Sequence, residues 1–353
     1  MNEIKISNKK IGNKTAPFIV AEMSANHNQS LNKALEIVNA AKKTGVDAIK
    51  LQTYTPYTLT LNVNNKDFKI GKRNSLWKKE TLYSLYEKAY TPWEWHKKIF
   101  NHCKKLGLIC FSTPFDESAV DFLETLDVPC YKIGSFENNH IPLLKKIAQT
   151  KKPVIMSTGM ASISELDEAV KTLRENGCKD LILLKCTSAY PATAEDANLL
   201  TIPHMQKLFD CQVGLSDHTL GIGVSLAGVA LCATFIEKHF TLKRSDGGPD
   251  AAFSMQPDEM KNLVIESKKA WQALGKVCYN KTKNEEKSMI FRRSIYVSKN
   301  IKAGEKFTKE NIRIVRPGFG LHPRHYDLLI GKISSKNLKI GTAINLENLY
   351  IKN

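Results

Sequence analysis

The first 275 or so residues repeat one unit eight times, a short apolar β-rich run followed by an amphipathic helical stretch, and few folds accommodate that pattern. The runs at 18–22, 48–53, 108–113, 130–135, 154–159, 181–188, 212–218 and 235–240 predict strands. Helical spacing fills 31–43, 92–106, 117–126, 141–149, 164–176, 197–208 and 223–232, and a last helix at 257–274 follows the eighth strand. Near-continuous apolar strands joined by helices describe a parallel sheet buried on both faces. Eight such units match the typical size, about 250 residues, of a (β/α)8 TIM barrel. A doubly wound sheet would often carry a glycine-rich turn after its first strand, whereas Ala21 to His27 contains no glycine. The α/β class with a barrel over 1–275 is therefore expected.

Helix ends carry matching chemistry. Thr91 followed by Pro92 reads as an N-cap with proline at the first helical position, and Ser162 with Glu165 has capping-box spacing. Gly45, Gly107 and Gly177 fall just past helix ends, where a left-handed residue is favoured. The stretch 54–90 is too long for an ordinary βα loop. With Trp77, Tyr83 and Tyr86 it reads either as a lid over a substrate or as a surface excursion with its own anchor. Residues 276–290 form a charged, apolar-poor linker, and 291–353 a small β-rich domain punctuated by Gly304, Pro317, Gly318, Gly320 and Gly341.

The net charge of +17 raises a nucleic-acid role, but the lysines are spread over the chain without a recognition motif, so a solvated basic surface suited to anionic substrates is expected. No segment has the roughly 20 apolar residues of a membrane helix. The N-terminus lacks the apolar core of a signal peptide, and the 8 cysteines are scattered without a Cys-x-x-Cys pair, so a cytoplasmic protein without disulfides or zinc ribbons is expected.

In a barrel the functional side chains sit at the C-terminal ends of the strands. Those ends supply Glu22, Lys50 with Gln52, Ser112 with Thr113, Lys132 with Ser135, Ser157, Thr187 with Ser188, Ser216 with His218, and Glu237 with His239. Lys50 and Lys132 lie in apolar strands, where an ammonium is costly unless it meets an anion or loses its proton. Ringed by Thr113, Ser135, Ser157, Ser188 and Ser216, they suit the phosphate and carboxylate of phosphoenolpyruvate. A Schiff-base lysine fits the same spacing. His218 and His239 end neighbouring strands and could share one divalent metal with open positions, while Glu22 could ligate it or orient a water. His96 and His102 have no such partners and read as structural. Asp250, in the turn after Gly247 and Gly248, either binds sugar hydroxyls or caps a helix.

The motifs Glu22 to Asn28, Lys50-Leu51-Gln52-Thr53, Ser112 to Asp116, Lys132 to Ser135, Ser157 to Met160, Cys186 to Pro191, Gly214 to Thr219 and Ile236 to Thr241 closely resemble the sialic acid synthase family. The tail from Arg292 through Gly318 resembles that family's antifreeze-like (SAF) domain. Within the family, Glu22-Met23-Ser24-Ala25-Asn26-His27, Leu76-Trp77, Thr81 to Tyr83, Thr91 to His96 and Gly248 to Ser254 look most like the pseudaminic acid synthases. The resemblance implies condensation of phosphoenolpyruvate with an amino-sugar aldehyde. It implies a divalent metal, most often manganese with magnesium or cobalt as alternatives, on His218 and His239. It implies phosphoenolpyruvate held by Lys50, Thr113, Lys132, Ser135, Ser157 and Ser216, with Ser188 standing where relatives commonly have asparagine. Sugar contacts map to Glu22, Gln52, Tyr190 and Asp250, and Arg316 would reach the barrel mouth of the second chain in a domain-swapped homodimer. Met23, Phe253 or aromatics of the insertion could meet the apolar groups of a deoxy sugar. A class I aldolase and a non-catalytic carbohydrate- or ice-binding protein are the readings outside the family.

Overall fold

The computed structural model describes residues 2–70 and 80–350. Trp77 and Leu76, two of the residues pointing to a lid and to the pseudaminic acid synthases, lie outside them. Two compact units divide the chain, Met1–Gly275 and Lys276–Asn353.

The first unit opens with a hairpin of β1 (Ile4–Ile6) and β2 (Lys9–Ile11). Eight parallel strands follow: β3 (Phe18–Glu22), β4 (Ala48–Thr53), β5 (Ile109–Pro114), β6 (Tyr131–Ile133), β7 (Val154–Ser157), β8 (Leu181–Cys186), β9 (Gln212–Ser216) and β10 (Phe235–His239). They pair in chain order, and β10 closes the barrel by pairing with both β9 and β3. Several are shorter than the apolar runs that announced them, because their last residues leave the ladder and turn into the loops of the upper face. Ser135, for example, starts a 3-10 turn, Ser135–Glu137.

Period-two alternation splits the strand side chains into two layers. Ile49, Leu51, Leu183, Val213 and Ile236 face outward and build the core shared with the helices. Phe18, Val20, Ala48, Phe111, Ile155, Ile182, Leu184 and Phe235 fill the barrel interior, and Ile4, Ile6 and Ile11 of the hairpin pack into the same cluster. The lower half of the barrel is thus packed and largely apolar, with Gln212 as a buried polar side chain there, its amide donating to the Asn2 carbonyl at 2.8 Å, and the charged side chains gather in the upper half.

The Ser162–Glu165 capping box forms, and Gly45 and Gly107 cap their helices at φ 86 and 63. The expected cap at Thr91 does not form. Pro92 itself is the N-cap of Trp93–Leu106, and the Thr91 hydroxyl bonds His27 Nε2 at 3.1 Å instead. No helix among the described residues is long and apolar enough to cross a membrane.

In the second unit β11 (Ser294–Val297) pairs antiparallel with β12 (Ile312–Val315). Single bridges such as Ile301 to Leu338 and Lys306 to Ile333 stand in for the further strands expected there. Its core gathers Ile295, Val297, Phe307, Ile312, Leu338 and Ile344. Arg316 follows β12 and is exposed.

Candidate active site

Strand register brings the charged residues together. His239 lies beside Glu22 across β10 and β3, Glu22 beside Lys50 across β3 and β4, and Ser216 beside Glu237 across β9 and β10. Lys50 is ion-paired to Glu22 and approaches Glu237 Oε1 at 3.7 Å. Lys132 approaches the same Glu237 oxygen at 3.6 Å. Lys50 Nζ also donates to Thr113 Oγ1 (3.2 Å), and Lys132 Nζ to Ser157 Oγ (2.7 Å). All four charged groups are buried. Two ammoniums and two carboxylates therefore share one dry floor, and Ser216 Oγ lies 3.5 Å from Glu237.

The titration of these groups follows from that crowding. Burial pushes Glu22 up to about 7, against the pull of Lys50. Burial works to lower Lys50, but Glu22 and Glu237 outweigh it and hold the ammonium above its usual range. Lys132 is lowered by burial, only partly offset by Glu237. Glu237, although buried, is held below the usual carboxylate range by Lys132 and Lys50. The floor thus contains one carboxyl able to exchange a proton near neutrality and one that stays ionised.

Above the floor sits a cradle of small groups. The Gly159 N–H donates to Ser135 Oγ at 3.2 Å, and a Cβ at Gly159 would overlap both Ser188 Oγ and Ser135 Oγ. Glycine is therefore required for the two hydroxyls and the backbone to converge. Asp250 does not cap a helix through its side chain. Its carboxylate accepts from Ser24 Oγ and from the Ala25 N–H (3.4 Å), and it faces the same cavity.

That cavity, of about 530 Å3, is lined by Glu22, Lys50, Gln52, Thr113, Lys132, Ser135, Ser157, Ser188, Tyr190, Ser216, His218, His239 and Asp250. Thirteen side chains singled out in the sequence therefore meet in one place; the strand-end residues Ser112 and Thr187 do not line it, and Arg316 belongs to the second unit. Three further groups were missed. Glu237 had been noted only as a strand end. Glu137 lines the wall with its Oε2 lacking a hydrogen-bond partner and is pushed by burial up to about 7. The third is an apolar wall of Leu59, Ile70, Leu82, Leu85 and Ala89, supplied by the long segment after β4. Tyr86 completes it, set edge-on to Tyr54 at 5.8 Å. Met23 does not contribute: it is fully buried in the outer core. Phe253 packs on His239 (4.9 Å) and Tyr190 (5.3 Å), behind the lining rather than in it.

The imidazoles of His218 and His239 stand 5.4 Å apart, centroid to centroid. His218 Nδ1 lies 2.9 Å from the Thr187 carbonyl, which can only accept, so Nδ1 carries a proton. Burial works to lower this imidazole, but Cys186, the Thr187 bond and Glu237 outweigh it and hold it above the usual histidine range. It is the neutral form that offers the Nε2 lone pair. His239 Nδ1 is buried without a hydrogen-bond partner. Burial, with His218 and the two lysines, holds His239 well below the usual histidine range, in the neutral form that ligates metals. Among the described residues no group of three or more His, Cys, Asp or Glu side chains is arranged to hold a metal. The donor set fits a divalent ion with two protein ligands and the remaining positions open. His96, bonded to Thr53 Oγ1 (2.9 Å), and His102, bonded to Asn39 Oδ1 (2.8 Å), stand apart as structural groups.

Residues 37–279 match the model of the NeuB family. The chain belongs to the NeuB family. A SAF domain matches 292–349 of this NeuB chain. A pseudaminic acid synthase of Campylobacter jejuni subsp. jejuni serotype O:2 is 47% identical over 327 residues, covering 93% of this chain and 95% of the relative. One from Helicobacter pylori is 45% identical over 334 residues, covering 94% and 98%. The crystal structure of N-acetylneuraminic acid (sialic acid) synthetase from Leptospira borgpetersenii superposes with a TM-score of 0.73 at 31% identity, over 82% of this chain and 95% of that one.

Proposed function

We propose that this NeuB-family enzyme condenses phosphoenolpyruvate with 2,4-diacetamido-2,4,6-trideoxy-L-altropyranose and water, giving pseudaminic acid and phosphate. The observation that carries the reading is the two-part cavity. Its floor concentrates two buried ammoniums and several hydroxyls suited to a small polyanion. Its upper wall is apolar and suited to the methyl and acetamido groups of a deoxy amino-sugar. The pseudaminic acid synthases among the relatives support the same choice of sugar over N-acetylneuraminic and legionaminic precursors.

Lys50 and Lys132 would neutralise the phosphate and carboxylate of phosphoenolpyruvate, with Thr113, Ser135, Ser157, Ser188 and Ser216 donating hydrogen bonds in a preorganised site. Gln52, Tyr190 and Asp250 would orient the open-chain sugar so that C3 of phosphoenolpyruvate attacks the aldehyde carbon. The positive charge left at C2 faces the Glu22 and Glu237 carboxylates. Glu22 then takes a proton from the water that adds at C2, and one proton goes to the former aldehyde oxygen to make the new hydroxyl. The tetrahedral centre expels phosphate by C–O cleavage, the remaining proton of the added water leaving with the phosphate as the C2 ketone forms. His218 and His239 would hold a divalent ion, manganese first, with magnesium and cobalt as alternatives, which supplies Lewis-acid polarisation of the sugar aldehyde. We place the enzyme in the cytoplasm, as a domain-swapped homodimer in which Arg316 of each chain serves the barrel of the other.

The test is phosphate release from phosphoenolpyruvate with manganese, offering the diacetamido-trideoxy-altrose, a legionaminic precursor and N-acetylmannosamine in turn. Release with the altrose alone supports the proposal, and release with another sugar replaces the substrate while keeping the chemistry. The lowered Lys132 favours one other reading, a Schiff-base aldolase. No release with any sugar, together with borohydride trapping of pyruvate on Lys132, would establish that instead.

A further inference from the structure

Successive strand residues point to opposite faces. Because His218 and His239 point into the cavity, the residues before them, Asp217 and Lys238, point the other way, between barrel and helices. There they form an ion pair at 3.0 Å with both side chains about 1% exposed. The pair lies one step beyond the last ladder pair of β9 and β10, Ser216 with Glu237, and the Asp217 N–H donates to the Glu237 carbonyl at 2.9 Å.

The pair's partners are Thr219, in the loop that carries His218, and Ser225, in the helix Gly223–Ala230 that follows it. Asp217 Oδ1 accepts from the Thr219 N–H (2.9 Å) and hydroxyl (2.7 Å), and Oδ2 accepts from Ser225 Oγ. Lys238 Nζ donates to the Thr219 carbonyl at 2.7 Å. Residues 217 and 219, on either side of His218, are thereby tied to the residue that precedes His239. The two imidazoles differ in their own supports. His218 is fixed through Nδ1 to the Thr187 carbonyl, whereas His239 Nδ1 has no hydrogen bond and depends on its backbone and on the ring packing of Phe253. A buried ion pair adds little net stability over an apolar pair of the same volume, so stability alone does not account for charges here.

We propose that the Asp217–Lys238 pair is a positioning device that sets the spacing and aim of His218 and His239 for the divalent ion. The pair touches neither substrate nor metal and acts through the backbone it clamps. The inference rests on the reading of the two histidines as metal ligands, and its test separates the two ideas.

Manganese affinity is measured on the full-length protein by the loss of the free-ion electron paramagnetic resonance signal, with thermal melting of the metal-free protein alongside. The parent should bind and H239A should not. The double variant Asp217→Asn with Lys238→Met removes both charges at similar volume. It should melt near the parent yet bind manganese about 10-fold to 100-fold more weakly, the size of effect typical of outer-shell partners. An affinity within twofold of the parent in the folded double variant would overturn the positioning role and leave the metal site standing. A parent that takes up no manganese would overturn both. If the double variant does not fold, Ser225→Ala, which removes one bond to Asp217, carries the test. Weakening by threefold or more, at unchanged melting, supports the role, and parent-like affinity refutes it.

Discussion

Replacing Glu22 by glutamine removes the group whose titration the barrel floor perturbs toward neutrality, and the consequence for stability can be worked through. The Glu22 carboxyl is shifted by burial from its usual 4.5 to about 7, with Lys50 opposing. A carboxyl raised in the folded state contributes stability that is fully present below pH 4.5 and is lost as pH rises through 7. At 1.36 kcal/mol per unit, the shift corresponds to about 3 kcal/mol. The metal-free parent should therefore lose stability as pH rises from about 4 to about 8, mostly between 4.5 and 7, and Glu22→Gln should lose about 3 kcal/mol less over the same window. All four tryptophans precede residue 276, so urea titration followed by tryptophan fluorescence reports on the barrel unit. In the metal-loaded enzyme, kcat/KM of the parent should rise with pH and level off above 7. The variant should lack that limb and be slower by about 100-fold to 10,000-fold, the usual contribution of a general base. Parallel stability curves for parent and variant, or an unchanged acid limb, would refute the assignment of the perturbed proton to Glu22.

Gly159→Ala should raise the KM for phosphoenolpyruvate about tenfold and destabilise the fold by about 1–3 kcal/mol, because its methyl displaces the Ser135 and Ser188 hydroxyls; steady-state kinetics at saturating sugar, with melting alongside, checks it. Leu85→Asn should reduce the preference for the diacetamido-trideoxy sugar over N-acetylmannosamine about tenfold, read as the ratio of kcat/KM values, because it opens a polar contact in the apolar wall. Chelation should abolish phosphate release in the parent and manganese should restore it. His239→Ala, which loses one of the two imidazoles, should stay inactive after the same treatment.

The barrel was legible because strands buried on both faces leave continuous apolar runs, and the parallel connections enforce helices between them. Most of the site was legible for a related reason. Lys50 and Lys132 are conspicuous in apolar strands, and strand ends of a barrel converge wherever they fall in the chain. What the chain hid depends on distance in sequence. Glu237 acquires its role only by meeting Lys50 and Lys132 across the barrel interior. Asp217 and Lys238 are 21 residues apart and become partners only through the register of β9 and β10. Leu59, Leu82 and Leu85 look like ordinary core residues, and nothing local distinguishes a leucine facing a cavity from one facing a helix. The N-terminal hairpin was missed even though Ile4 and Ile6 alternate with polar residues, because three-residue strands give too few periods to stand out.

The hairpin also has a kinetic meaning. With Ile4, Ile6 and Ile11 packed against the interior apolar layer, the barrel is a blind-ended well whose foot is stoppered. Traffic must use the upper mouth in both directions. On the proposed assignment, a ligand gripped by the lysines at the bottom arrives before one that rests against the leucine wall above it. The closed foot thus makes ordered entry, phosphoenolpyruvate before sugar, the expected consequence of the proposed placement.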